Sequence, residues 1–338
     1  MTPSKAEQFN RVQWSAHGTE SMVESLFLKF HLPEEGSAFW ARYTLRRPLA
    51  GHGEPVGCLW GVYTSVTGET VAGCDTHAAS DVAAGRDRFF LKIGPGELAM
   101  GRASGKVGGR GSKGASIEWD LSFEAGTGCL VHFPLDAMYR LGFPRNKAVS
   151  PHVSTRFYGT VKIGGRTLRV DGARGMQGHN WGPTVSDHWI WSHANTFEGR
   201  DDVVFEGLSS ILRFGPVTLP PLTILYLKAE DRQWLFNGPH QLLMSRSNAR
   251  DLSWEFAGTD GPVRLEGQVT AVPGLTTGLD YISSDGQTVR VHNSNLADAR
   301  LSVTGLPGGR LDLVSNRTAT IELGGRAATS DVPVAVKG

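Results

Sequence analysis

Between Asp171 and Ser210 the chain gathers His179, Asn180, Trp181, His188, Trp189, Trp191, His193, Asn195 and Glu206. Three of its nine tryptophans and three of its eleven histidines fall there. Imidazole and carboxyl groups move protons, while indole faces bind apolar molecules and stabilise cations. This mixture suits an apolar pocket with a proton relay. A carboxyl group stripped of water holds its proton more tightly, so it can serve as a general acid. Protonation of a C=C bond, followed by capture of the cation, is the chemistry such parts would do.

Side chains alternate across a strand. In Trp189–Phe197 one face then carries Trp189, Trp191, His193, Asn195 and Phe197, and the other Ile190, Ser192, Ala194 and Thr196. In Val203–Ser210, Val204, Glu206, Leu208 and Ser210 align, leaving Glu206 a lone carboxyl group among apolar neighbours. Glu206 is therefore the candidate proton donor, with His179 tuning it or orienting water, and Trp181 and Trp191 shielding the cation. His193, Asn195, Asn180, Tyr63 and Trp119 are candidates for lining the pocket. A structural reading stands beside this one. The His-Asn side chains can bond the backbone at a corner, the tryptophans can fill a core, and Glu206 can pair with Arg174 or Arg213.

Other chemistries lack their signatures. No HxH or HExxH spacing supports a metal site, and no GxSxG elbow supports a serine hydrolase. Gly109–Gly114 spells GxGxxG, but a strand-like run at Ser116–Leu121 follows it where a dinucleotide fold needs a helix. It is expected to be a hairpin tip, and no cofactor is expected. The net charge of +1 is spread along the chain, which argues against nucleic acid as a partner. No apolar run reaches the length of a spanning helix, and the first twenty residues lack a secretory apolar centre. Three cysteines without a CxxC pair fit reduced thiols, so a cytoplasmic protein is expected.

These side chains need elements to position them. Glycine is abundant at 43 residues, and short runs rich in β-branched and aromatic residues recur between turn signals, a pattern that predicts an all-β fold. Such runs include Ser25–His31, Phe39–Arg46, Cys58–Ser65, Ser154–Ile163, Thr167–Val170 and Val203–Leu212. Gly164-Gly165 between two of them predicts a two-residue hairpin. Only Ser4–Val12, Leu135–Leu141 and a stretch near Asp75–Ala84 suggest helices. At 338 residues two domains are expected, 1–182 and 183–338, as tandem antiparallel β-barrels or sandwiches.

The chain resembles the two-domain lipocalin-like superfamily of carotenoid 1,2-hydratase (hydroxyneurosporene synthase), the AttH-like proteins and tocopherol cyclase. The likeness is carried by Gly57-Cys58-Leu59-Trp60-Gly61-Val62-Tyr63, Ile117-Glu118-Trp119-Asp120-Leu121 and Gly175-Met176-Gln177-Gly178-His179-Asn180-Trp181-Gly182. The strand Trp189–Phe197 and the closing Ile321-Glu322-Leu323-Gly324 add to it. It runs from about Glu24 to Gly325. The resemblance implies two lipocalin-type barrels and cofactor-free hydration, cyclisation or cycloaddition of apolar substrates. It also implies an acidic residue that protonates the double bond, helped by the histidine and tryptophan of a His-x-Trp run. His179 and Trp181 match that run, and Glu206 lies where the acid would be, although Glu stands in place of an expected Asp.

The leading expectation is thus a cofactor-independent hydratase, lyase or cyclase acting on a hydrophobic, terpenoid-like small molecule. The alternative is a non-catalytic carrier of a hydrophobic ligand. A third reading, an assembly role, would use exposed strand edges for homodimerisation.

Overall fold

The computed structural model describes residues 4–338 apart from 16, 86, 109–114, 126–127, 212, 215–216, 219 and 326–331. The GxGxxG run lies outside the described residues. The chain is almost wholly antiparallel β-structure, as expected, with α-helix among the described residues confined to α1 (Lys5–Phe9) and α2 (Pro239–Met244). None is long and apolar enough to cross a membrane. Two compact units are formed. The first comprises Met1–Val185 with Leu279–Val289 and Val334–Gly338; the second comprises Ser186–Gly278 with Arg290–Pro333.

The first unit opens with β1 (Met22–Leu32), β2 (Ser37–Arg47), β3 (Val56–Ser65) and β4 (Thr70–Ala78). Short strands follow: β5 (Val82–Ala84), β6 (Phe90–Ile93), β7 (Gly96–Ala99), β8 (Arg102–Val107), β9 (Ile117–Phe123) and β10 (Leu130–Val131). Two long strands close it, β11 (Lys147–Ile163) and β12 (Arg166–Gly182). They form one twelve-stranded sheet in the order β4-β3-β2-β1-β12-β11-β9-β8-β7-β6-β5, with β10 beside β11. Ile163 faces Arg166 across the predicted Gly-Gly turn, where Gly164 takes φ 58°. That left-handed backbone is open to glycine and strained for most other residues.

Three expectations for helix resolve differently. Ser4 caps a single short α1 through Glu7 N, at 3.2 Å. Leu135–Leu141 holds only a 3-10 turn, Asp136–Tyr139. The stretch near Asp75–Ala84 is mostly strand, because Val71–Ala78 completes the ladder against β3. The two runs Ser154–Ile163 and Thr167–Val170 are fragments of seventeen-residue strands whose glycines hid their continuity.

The second unit begins with β13 (His188–Ala194), β14 (Val204–Ser210) and the short pair β15 (Arg213–Phe214) and β16 (Val217–Thr218). It continues through β17 (Leu222–Ala229), β18 (Arg232–Phe236), β19 (Arg246–Arg250), β20 (Ser253–Asp260) and β21 (Val263–Thr270). It closes with β23 (Thr288–Leu306) and β24 (Gly309–Gly325), whereas β25 (Val334–Lys337) and most of β22 (Thr277–Ile282) belong to the first unit. The main sheet path is β18-β17-β14-β13-β24-β23-β21-β20-β19, and β22 pairs with β25.

Each unit has its own apolar core. Phe30, Phe39, Tyr43, Trp119 and Phe157 fill the first; Phe205, Leu225, Phe236, Trp254 and Phe256 fill the second. In the first core Trp119 Nε1 donates to Tyr43 Oη at 2.8 Å, and Tyr43 Oη donates to Ser104 O at 2.7 Å. These bonds satisfy the polar tips of two buried aromatics.

His152 in β11 is fully buried, edge-on to Phe123 at 5.5 Å, and neither ring nitrogen has a partner among the described residues. Burial pulls its imidazole down from 6.5 to about 4, because the charged form loses its water. The folded state therefore keeps it neutral while the unfolded chain takes up a proton. Its contribution is intact above pH 6.5 and lost as pH falls through 4. Replacing His152 with Leu should make the protein less acid-sensitive over that window, by roughly 3 kcal/mol relative to wild type. Urea denaturation at both ends of the window measures this, and equal pH slopes for the two proteins would refute it.

Candidate active site

In the first unit β12 brings His179, Asn180 and Trp181 beside β1, with Leu26 opposite His179, Ser25 opposite Asn180 and Glu24 opposite Trp181. Alternation puts His179, Trp181 and Glu24 on one face. Gly178 lets the Phe27 ring lie close over the strand, since a Cβ there would come 2.3 Å from it and the ring would have to shift. His179 and Glu24 are both completely buried. His179 Nε2 lies 2.8 Å from Glu24 Oε1, and Nδ1 lies 3.0 Å from Phe9 O. A carbonyl only accepts, so Nδ1 carries hydrogen, and one proton lies between Nε2 and the carboxyl group.

Glu24 also accepts from Gln13 N and Trp14 N, both at 2.7 Å. One turn away, Asn10 and Gln177 exchange two amide hydrogen bonds at 3.1 and 2.9 Å. The Trp181 ring lies 4.7 Å from the His179 ring and 6.0 Å from Tyr139. Together these contacts fasten residues 9–14 to β1 and β12. Both ring nitrogens of His179 are thus engaged within the first unit, by Phe9 O and Glu24.

In the second unit the alternation inferred for Trp189–Phe197 holds through β13. Ile190 and Ala194 enter the core, while Trp189, Trp191 and His193 take the other face. Phe197 departs from it: the strand ends at Ala194 and Phe197 packs in the core. Asn195, just past the strand, is fully buried.

Registers across β17, β14, β13 and β24 set one row as Tyr226, Glu206, His193 and Thr320. A second row reads Ile224, Leu208, Trp191 and Glu322. The first row is buried, with Glu206 at 2% exposure and His193 at 0%, while Leu208 and Glu322 of the second are half-buried. Trp191 Nε1 donates to Glu206 Oε1 at 3.1 Å, and the Trp191 and His193 rings stack at 6.3 Å. Glu322 accepts from Trp189 Nε1 at 2.9 Å and Asn293 Nδ2 at 3.1 Å. Burial above all pushes the Tyr226 hydroxyl up to about 12, so it stays protonated.

Of the sequence candidates, the structure groups Trp191, His193 and Glu206 in the second unit, and His179, Asn180 and Trp181 in the first. Tyr63 and Trp119 belong to the first unit's packed core. Among the described residues no group of three or more His, Cys, Asp or Glu side chains is placed to hold a metal ion. Sequence reasoning missed Glu24, Tyr226, Glu322 and Asn293. The available signal was a single acid set in the apolar run of β1 and a single phenol in that of β17.

No family model matches the chain. An uncharacterised protein of Mycobacterium tuberculosis, found in strains CDC 1551 / Oshkosh and H37Rv, is 26% identical over 292 residues, spanning 84% of this chain and 86% of its own length. Among solved structures, an AttH-like protein of Nitrosomonas europaea aligns at TM-score 0.56 and 13% identity, covering 90% of this chain and 92% of that one. Kievitone hydratase from Nectria haematococca aligns at TM-score 0.55 and 10% identity, covering 90% and 88%. The chain has the AttH-like, lipocalin-like fold. At these identities the likeness concerns architecture, the fold expected from the resemblance.

Converting Glu24 to Gln removes the charge that two backbone N–H groups and His179 share. Stability should fall by roughly 2–4 kcal/mol. Hydrogen exchange at Gln13 and Trp14 should quicken before global unfolding. A loss below about 0.5 kcal/mol, the scale of a surface change, would contradict the role given to Glu24.

Proposed function

We propose that the chain is an acid–base enzyme of the hydratase or lyase type, acting on the C=C bond of a hydrophobic, terpenoid-like small molecule. The observation that carries this reading is Glu206, a buried carboxyl group that accepts from an indole N–H and lies opposite an imidazole and a phenol. Kievitone hydratase, a protein named for adding water, has the same fold, which supports the reaction class.

In the forward direction Glu206 gives its proton to one alkene carbon, and the π pair forms the new C–H bond. The neighbouring carbon becomes a cation, which the Trp191 π face stabilises. Water attacks that carbon and returns one proton to the Glu206 carboxylate, so atoms and charge balance. His193, opposite Glu206, positions the water, and Leu208 and Ile224 supply apolar surface. Asn195 orients a polar group of the substrate. The reverse sequence is elimination, and attack by a substrate hydroxyl in place of water gives cyclisation. The steps draw on side chains and water alone and call for no cofactor. His179 enters differently: with both ring nitrogens engaged it holds Trp181 in place and does not carry the transferred proton.

Glu206→Gln keeps the shape and the acceptor for Trp191 but has no proton to give. It should lower kcat by at least about a hundredfold while leaving substrate affinity and melting temperature nearly unchanged. A panel of prenylated and terpenoid alkenes, incubated with protein in oxygen-18 water and read by mass spectrometry, measures this. Undiminished label uptake by the variant would remove Glu206 from the mechanism. Retention of a ligand without conversion by either protein would favour the carrier reading.

A further inference from the structure

A second polar cluster lies in the first unit, on the face of β1–β3 that points away from the apolar core. Register places Ser25, Arg42, Thr44, Cys58 and Trp60 on that face. Arg42 is 93% withdrawn from solvent, at 7% exposure, yet no carboxylate lies within ion-pair reach of it among the described residues. One guanidinium nitrogen, Nη2, donates to Ser25 Oγ at 2.6 Å, and the group lies 3.9 Å over the Tyr281 ring. Among the described residues its Nε has no acceptor, and the buried Thr44 Oγ1 and Trp60 Nε1 have no partner either. All three residues, with Arg46, border one cavity of about 20 Å³, whose other walls include Val23 and Ile282.

A space of that size admits about one water-sized atom. Its donors are a guanidinium N–H, a hydroxyl and an indole N–H; Arg42 and Arg46 bring positive charge to it, and Gly338 also borders it. Buried polar groups seek partners, and a buried guanidinium seeks an anion. The neighbouring Cys58 thiol is drawn down to about 7, first by its hydrogen bond with Cys74 and more weakly by Arg46 and Arg42, so the local potential already favours negative charge.

From this geometry we infer that the cavity is an anion site taking one small anionic atom, either a halide ion or the terminal oxygen of a carboxylate or phenolate. Aromatic and aliphatic walls favour weakly hydrated anions. The site uses none of the side chains assigned to proton transfer, so its test stands apart from that of Glu206.

The unfolding temperature of the full chain is followed as bromide, acetate or para-nitrophenolate is raised at constant ionic strength, with a bulky sulfonate making up the balance. It should rise saturably in wild type, as binding to the folded state requires. Thr44→Val and Trp60→Phe each remove one donor and keep both arginines, and should weaken apparent affinity by roughly tenfold. A response to bromide alone identifies a halide site; a response to the organic anions as well identifies an oxyanion site. Indifference to all three anions, or equal responses in wild type and both variants, overturns the inference. Crystals soaked in bromide should give an anomalous peak between Arg42 and Trp60, and an ordinary water there would overturn it equally.

Discussion

Burial of polar side chains on the sheet faces that turn away from the apolar cores is the constraint on which this structure depends. In each unit the inward face is ordinary aliphatic and aromatic packing. Part of the opposite face is also withdrawn from water, although it carries Lys29, His31 and Arg42 in the first unit and His193, Glu206 and Asn293 in the second. Each such group costs free energy unless a hydrogen bond or a counter-charge replaces its lost water. Some of the solutions are internal, such as the indole N–H on Glu206 and the Ser25 hydroxyl that accepts from Arg42. Where they are not, as at Arg42 Nε and Trp60 Nε1, the requirement for a partner falls on a ligand.

The same constraint separates what the sequence made legible from what it did not. Period-two alternation was enough to predict antiparallel sheet and to sort Trp191 and His193 from Ile190 and Ala194, because alternation follows from strand geometry alone. The Gly164-Gly165 turn was legible for the same local reason. Alternation does not say whether a polar face meets water. Lys29 and His31 therefore look like solvent-facing positions of β1, although both are buried. The partner of His179 was invisible because Glu24 lies 155 positions earlier and reaches it only through the pairing of β1 with β12. Phe197 was assigned to the wrong face because no local signal marks the end of β13 at Ala194.

The His-Asn-Trp run and the Glu206 row belong to different units. His179 bonds Phe9 O and Glu24, and these contacts fasten the segment leading into β1. Glu206 sits in a row of groups able to donate or hold protons, next to an indole that can meet a cation. The long strands β11 and β12, and the direct pairing of β13 with β14 and β24, give both groups rigid support. Rigid support is what positioned acid–base chemistry requires.

Stereochemistry at the protonated carbon is the most direct test of Glu206 as proton carrier. A reaction run in deuterium oxide should place a single deuterium on one face of one former alkene carbon, since a fixed carboxyl group delivers from one side. Deuterium distributed equally over both faces, or water added without any dependence on Glu206, would contradict the account.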